Sequence, residues 1–200
     1  MLHKFDITYY KIHGSFAGVD EAGRGCLAGP VCAAAVILPP DSGLEELGVR
    51  DSKKLSASKR ERLYDEIKKT AVAVSVAFVD VNVIDEINIL QASMQAMRNA
   101  LLGLPNLPKL ALIDGITLPH QIPGCAYEAV KGGDGISLSI AAASIVAKVT
   151  RDRFLMEYDA LYPQYGFAAH KGYATKAHRA AIAEYGLSPL HRKSFNISSL

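Results

Sequence analysis

Cysteine is scarce in this chain, and its spacing is uninformative for metals. Cys26, Cys32 and Cys125 form no Cys-x-x-Cys pair and cannot all pair with one another. That argues against a disulfide framework and favours a reducing compartment with plain packing roles. No apolar run is long enough to span a bilayer, and no charged stretch followed by an apolar one opens the chain. A cytoplasmic location with no membrane partner is therefore expected. Internal repeats and low-complexity segments are also missing. The formal net charge of +2 is too small to name a partner. Its distribution says more, because Lys and Arg recur from Arg50 to Lys69 and from Lys148 to Lys193. Two such stretches could line one groove or could simply be solvated helix faces.

What is present is a core. Half of the 200 residues are hydrophobic and 21% are charged, which fits one globular domain and a monomer. We expect an α/β catalytic core over about 16–158 and a helical C-terminal part over about 159–200.

The chain is organised around Gly18-Val19-Asp20-Glu21-Ala22-Gly23-Arg24-Gly25. It reads as a buried strand from Phe16 to Asp20 running into two adjacent carboxylates and a small-residue loop with one arginine. Neighbouring side chains on a regular strand point to opposite faces. If Asp20 and Glu21 serve one site, the strand must end or twist there. Two neighbouring carboxylates repel, and a hard divalent cation such as Mg²⁺ or Mn²⁺ makes both ionised forms favourable. A solvated turn carrying two acids is the plain alternative.

The remaining pattern alternates strands and helices. Met1 to Gly14 reads as a lead-in, Pro30–Leu38 as a second strand, and Ala71–Val79 as a third. Ser56 caps a helix in which Leu63 and Ile67 share a face. Leu90, Met94, Met97 and Leu101 mark an amphipathic helix from about Val83 to Leu102, stopped by Gly103 and Pro105. Lys109–Asp114 and Tyr127–Val130 read as short strands. A helix from Ser137 to about Tyr158 carries Ala141, Ala142, Ala143 and Ala147, small enough for close approach to a sheet. Tyr162 to Tyr173 reads as loop, and a last helix covers Thr175–Tyr185. The fold class is α/β: a mixed five-stranded sheet flanked by helices, with a C-terminal helical region.

Three strand ends thus carry acids: Asp20 with Glu21, Asp114, and Asp134. If strands one, four and five are neighbours, the four carboxylates meet. With no His or Cys among them they make a hard-cation site rather than a zinc site. Two metals in such a cluster suit phosphodiester hydrolysis. A dinucleotide reading of Gly23-Arg24-Gly25-Cys26-Leu27-Ala28 fails because a strand, not a helix N-terminus, follows it. His170, His178 and His191 have no partner at ligand spacing, so surface or structural roles are expected. Ser139 and Ser144 have no nearby base for nucleophilic catalysis. Lys53, Lys54, Lys148, Arg151 and Lys171 make sense together as phosphate contacts, or singly as surface charge.

These stretches also carry a resemblance. Gly18 to Gly25, Asp51-Ser52-Lys53-Lys54-Leu55, Ile113-Asp114-Gly115, Gly133-Asp134 with Ser137 to Asp152, His170-Lys171-Gly172-Tyr173, and His191-Arg192-Lys193-Ser194-Phe195 resemble the motifs of ribonuclease HII, the type 2 ribonuclease H, in that family's order. The resemblance runs from about Phe16 to Phe195. It implies a ribonuclease H-like fold and an endonuclease that hydrolyses the RNA strand of RNA–DNA hybrids and incises DNA 5′ to embedded ribonucleotides, using two Mn²⁺ or Mg²⁺ ions. It implies Asp20, Glu21, Asp114 and Asp134 as metal-binding carboxylates. Gly23, Arg24 and Gly25 are implied as the element sensing the 2′-hydroxyl, and Tyr173 as the aromatic packing on the following deoxyribose. Lys53, Lys148 and Lys171 fall to phosphate contacts. The implied partners are RNA–DNA hybrid and ribonucleotide-containing DNA; recruitment by replication proteins is not readable. Gly135-Ile136 stands where members often carry a small residue and a lysine, which touches one phosphate contact and not the carboxylates. The long N-terminal extension of ribonuclease HIII is not seen. Another metal-dependent nuclease of this fold, and a hybrid-binding protein without catalysis, are the competing readings.

Overall fold

The computed structural model describes residues 2–195; Met1 and residues 196–200, the last part of the expected C-terminal region, lie outside them. Five strands, β1 Ala17–Ala22, β2 Val31–Ile37, β3 Ala73–Val79, β4 Leu110–Asp114 and β5 Ala126–Val130, form one sheet in the order β3-β2-β1-β4-β5. β2 pairs antiparallel with β1 and β3, while β4 runs parallel to β1 and to β5. The expected neighbourhood of strands one, four and five is met.

The helices are α1 Leu2–His13, α2 Ala57–Thr70, α3 Val81–Leu102, α4 Leu138–Asp159, α5 Phe167–His170 and α6 Lys176–Tyr185. Strand alternation divides the sheet into two faces. On one, Ala17, Val19, Ala111 and Ile113 pack with Met94, Met97 and Leu101 of α3, so those methionines are core. On the other, Cys32, Ala34 and Val36 pack with the alanines of α4 and with Leu63 and Ile67 of α2. Ser56 caps α2, its Oγ accepting from Lys59 N at 3.2 Å.

α4 crosses the sheet unusually close. A Cβ on Gly18 would lie 2.2 Å from the Ser139 carbonyl carbon, which is backbone and cannot yield. Gly18 and the alanines of α4 therefore work as one contact: no side chain separates strand from helix.

Three expectations need correcting. The first residues are not a lead-in but α1. Its Asp6 is buried and accepts from both the backbone N–H (2.8 Å) and the hydroxyl (2.7 Å) of Ser139, holding the first turn of α4. Tyr10 donates to the Leu38 carbonyl and Tyr9 bonds Glu128. α3 is broken at Asn88 (φ +66°), whose Oδ1 accepts from Leu90 N and Gln91 N and so caps the second segment. Tyr162 to Tyr173 is not plain loop but holds a 3₁₀ turn, Pro163–Tyr165, and α5. Tyr165, Phe167, Leu155 and Leu190 form a separate small core there, closed over Leu27 and Ala28.

Candidate active site

β1 and β4 end at the same edge of the sheet, and their register sets the site. Val19 pairs with Ile113, so the next step along two parallel strands puts Asp20 beside Asp114. Alternation gives both the α4 face, the face of Gly18, Leu110 and Leu112. β1 does not end at Asp20, as expected, but continues through Glu21 opposite Ala33 to Ala22 opposite Cys32. Asp134 arrives from a third strand: β5 ends at Val130, Gly132 turns the chain (φ +67°), and a short 3₁₀ turn, Gly133–Gly135, presents the acid. Gly133 N–H donates to Asp114 Oδ1 at 2.6 Å, which ties that turn to β4.

The electrostatics follow from this crowding. Asp20 is 5% exposed. Burial, then the charges of Glu21 and Asp114, push its carboxyl well above the usual carboxylate range. Burial also raises Glu21, with Arg24 acting against it at 3.3 Å. Asp134 is raised by burial, by Asp51 and by Asp114, while Lys53 Nζ stands 3.7 Å away. Burial would lower Lys53, but Asp134, Asp20 and Asp51 outweigh it and hold the ammonium firmly charged. The four acids thus form one electrostatic unit.

They do not yet form a ligand cage. Among the described residues, no group of three or more His, Cys, Asp or Glu side chains is drawn together tightly enough to hold an ion. Glu21 leans on Arg24, Asp134 on Lys53, and Asp114 on a backbone N–H. The donor set itself, all carboxylate oxygen around a buried and destabilised Asp20, fits a hard divalent cation.

Lys53 sits on a 3₁₀ turn, Ser52–Lys54, in a stretch that sequence reading gave as a motif without assigning it an element. Asp51 caps it by accepting from Lys53 N at 2.9 Å. Ser144 of α4 accepts from Ser52 N at 3.3 Å, and Arg60 donates to the Ser52 and Leu55 carbonyls. Asp51, Ser144 and Arg60 therefore hold the turn that carries Lys53, a role the sequence reading gave to none of them. Asp51 was legible as an acid heading a Ser-Lys-Lys turn. Ser144 carried only the weak signal of a polar residue in an alanine stripe.

Beyond β1 the Gly23–Arg24–Gly25 turn follows at once, and position 23 takes glycine for two reasons: its φ is positive (+100°), and a Cβ there would strike the Arg151 side chain at 2.1 Å. Tyr173 is 41% exposed next to this turn, its hydroxyl against Cys26 and its ring 5.1 Å from Lys148 Nζ. Lys148 also pairs with Asp152 at 2.7 Å. Lys171 turns back onto the Ala168 carbonyl at 2.5 Å, and burial lowers its ammonium. Of the three lysines, Lys53 alone has a largely exposed side chain beside the carboxylates. Arg151, expected with the phosphate contacts, is fully buried, with its donors on backbone carbonyls.

Residues 17–198 match the family model described as ribonuclease HII. The chain belongs to the ribonuclease HII family. It is 58% identical over 185 residues to the ribonuclease HII of Geotalea daltonii, covering 92% of this chain and 83% of that one. Against the ribonuclease HII of Enterococcus faecalis the identity is 52% over 190 residues, covering 95% and 72%. Among solved structures, the ribonuclease HII of Archaeoglobus fulgidus, determined in complex with PCNA, superposes with a TM-score of 0.77 at 30% identity, covering 91% of this chain and 95% of that one. A ribonuclease HIII with bound Mn²⁺ shares the fold at a TM-score of 0.73 and 19% identity, covering 92% and 68%. As a ribonuclease HII the chain is a hydrolase of the ribonuclease H class, built on the ribonuclease H fold. α1 lies before the matched residues.

Proposed function

We propose that this chain is an endonuclease that hydrolyses the RNA strand of RNA–DNA hybrids and incises duplex DNA on the 5′ side of an embedded ribonucleotide, leaving a 5′-phosphate and a 3′-hydroxyl. The observation that carries it is the strand register: Asp20 beside Asp114, with the Gly23–Arg24–Gly25 turn continuing from the same β1. A hydrolytic centre and an element able to touch a sugar are thereby one short stretch of chain apart.

Asp20, Glu21, Asp114 and Asp134 would hold two Mg²⁺ or Mn²⁺ ions. When bound, such ions activate a water and stabilise the leaving oxygen of a phosphodiester. The chain's own part is to aim those four carboxylates from three strand ends and to offset their charge with Arg24 and Lys53 until cation and substrate arrive. The 2′-hydroxyl separates RNA from DNA at a given sugar, and a turn of glycines lets backbone groups reach it. Tyr173 offers an exposed ring for the following deoxyribose. Lys53 contributes positive charge along the backbone path, and Lys148 and Lys171 would join it by leaving Asp152 and the Ala168 carbonyl for a phosphate. The reading also takes the chain as a cytoplasmic monomer working in ribonucleotide excision repair.

The test is cleavage of an end-labelled DNA duplex carrying one ribonucleotide, with Mn²⁺, with Mg²⁺ and with chelator, beside an all-DNA duplex. A metal-dependent nick 5′ to the ribonucleotide, with the control intact, is expected. Equal cutting of the all-DNA duplex would assign the chain to another kind of nuclease on this fold.

A further inference from the structure

Arg151 and Arg192 are the two largest fully buried side chains, each with 0% exposure. Among the described residues neither makes an ion pair with a carboxylate. Each spends its guanidinium on backbone carbonyls instead. Arg192 donates to Gly23 O (2.6 Å), Arg24 O (2.8 Å) and Gly29 O (3.0 and 2.8 Å). Arg151 donates to Ala28 O (2.9 Å), Pro30 O (2.9 Å) and Lys171 O (3.0 Å). Two like charges buried side by side are costly unless every donor is satisfied. Burial, then the neighbouring Arg151 cation, lowers the Arg192 guanidinium to about 10.

Gly23 and Arg24 belong to the turn after β1 and Lys171 to the turn that carries Tyr173, while Ala28, Gly29 and Pro30 form the stretch leading into β2, on which both arginines also bond. Backbone bonds join the same pieces: Leu27 N donates to Gly172 O at 2.8 Å, and Arg192 N to Leu27 O at 2.9 Å. A trans peptide is planar, with its C=O and the next N–H pointing opposite ways. Drawing the Gly23 and Arg24 carbonyls onto Arg192 therefore turns the N–H groups of Arg24 and Gly25 away from the buried guanidinium. The space around Gly25 is open, since a Cβ there would meet nothing within 4 Å.

We infer that Arg192 and Arg151 are positioning residues: Arg192 ties the Gly23–Arg24–Gly25 turn, and Arg151 the Lys171–Gly172–Tyr173 turn, to the shared stretch Ala28-Gly29-Pro30, and so the two turns to each other. The first turn's outward N–H groups and the Tyr173 ring then act as one fixed gauge for a ribose followed by a deoxyribose. This rests on the reading of both turns under the proposed function. A lysine cannot replace either residue: its ammonium lacks the planar fork that spans three carbonyls at once.

The experiment compares kcat/KM on two substrates, a DNA duplex with one ribonucleotide and a continuous RNA–DNA hybrid, for wild type, Arg192→Lys, Arg151→Lys and an Ile67→Val or Ile67→Ala control chosen to match the arginine variants in Tm. A ratio of substrates does not depend on the fraction of folded enzyme. We expect the ratio of single-ribonucleotide to hybrid cleavage to fall about fivefold or more in either arginine variant, a change worth about 1 kcal/mol, with the control unchanged. Should one arginine variant fail to fold, the other carries the same expectation. A wild-type ratio retained in a folded arginine variant overturns the gauge while leaving the proposed function standing. A wild type that nicks neither substrate in a metal-dependent way overturns both.

Discussion

Asp20 and Asp114 stand side by side on parallel strands, one residue beyond the pair Val19–Ile113. Their closeness is destabilising while the carboxylates carry like charge without a cation. Replacing either by Asn should lower cleavage by more than about a hundredfold if it ligates the catalytic ions, with affinity for an RNA–DNA hybrid kept within a few-fold. In chelator the same variants should melt higher than wild type, by roughly 2–4 °C for each kcal/mol of repulsion relieved. Added Mn²⁺ should raise the wild-type Tm more than theirs. Matched losses of binding and cleavage would take these acids out of the reaction centre.

Ser144 holds the turn that carries Lys53. In Ser144→Ala the buried Ser52 N–H loses its acceptor, at a cost of about 1–3 kcal/mol. KM should rise as Lys53 loses its fixed place, and adding Lys53→Ala should raise it no further than Lys53→Ala alone. Additive KM effects in that double-mutant cycle would separate the two residues.

Tyr173 is exposed over Lys148 and beside Cys26. Tyr173→Ala should slow nicking at an RNA–DNA junction by about tenfold, the scale of one lost base- or sugar-stacking contact. Mn²⁺ affinity, followed by calorimetry, should stay at the wild-type value. Junction cleavage at the wild-type rate would remove the ring from the substrate path.

The buried pair His178 and His191 makes stability depend on pH. Their Nε2 atoms are 3.0 Å apart; His178 Nδ1 meets the Tyr173 carbonyl at 2.9 Å, His191 Nδ1 meets Ser188 Oγ at 2.8 Å, and His170 stacks on His178. Burial first, then the neighbouring histidines, pushes both rings down to about 4. Unfolded histidine titrates near 6.5, so between these values the unfolded chain binds more protons. The stabilisation is complete above about pH 6.5 and lost as pH falls toward 4. Two rings that shift from 6.5 to about 4 lose about 5 kcal/mol between pH 7 and pH 4.5, which would lower Tm by roughly 10–20 °C. His178→Gln should flatten that difference relative to wild type; an unaltered slope would place the titration elsewhere.

These histidines also mark where sequence reading stops. The lack of any ligand partner left surface or structural roles open, and it is their burial and pairing, which joins α6 to residue 191 through packing that no spacing reveals, that decides for the structural one. α1 went unread for a similar reason. It is held by Asp6 on Ser139, 133 residues away, and a short helix of modest amphipathicity has little local signal of its own.

By itself the sequence determined the strands and helices whose periodicity or caps are local: β2, the Ser56-capped α2, the methionine face of α3, and the small residues of α4. It also determined the acids, because residue type and position after an apolar run are written in the chain. Only the tertiary structure decided that β1, β4 and β5 lie side by side, so that four acids scattered over 115 residues, Asp20 to Asp134, share one field. Only it decided that Arg151 turns inward while Lys53 faces out. A charged side chain is buried or solvated according to which carbonyls or carboxylates the rest of the fold brings within reach, and that is a property of long-range contacts, not of neighbours in sequence.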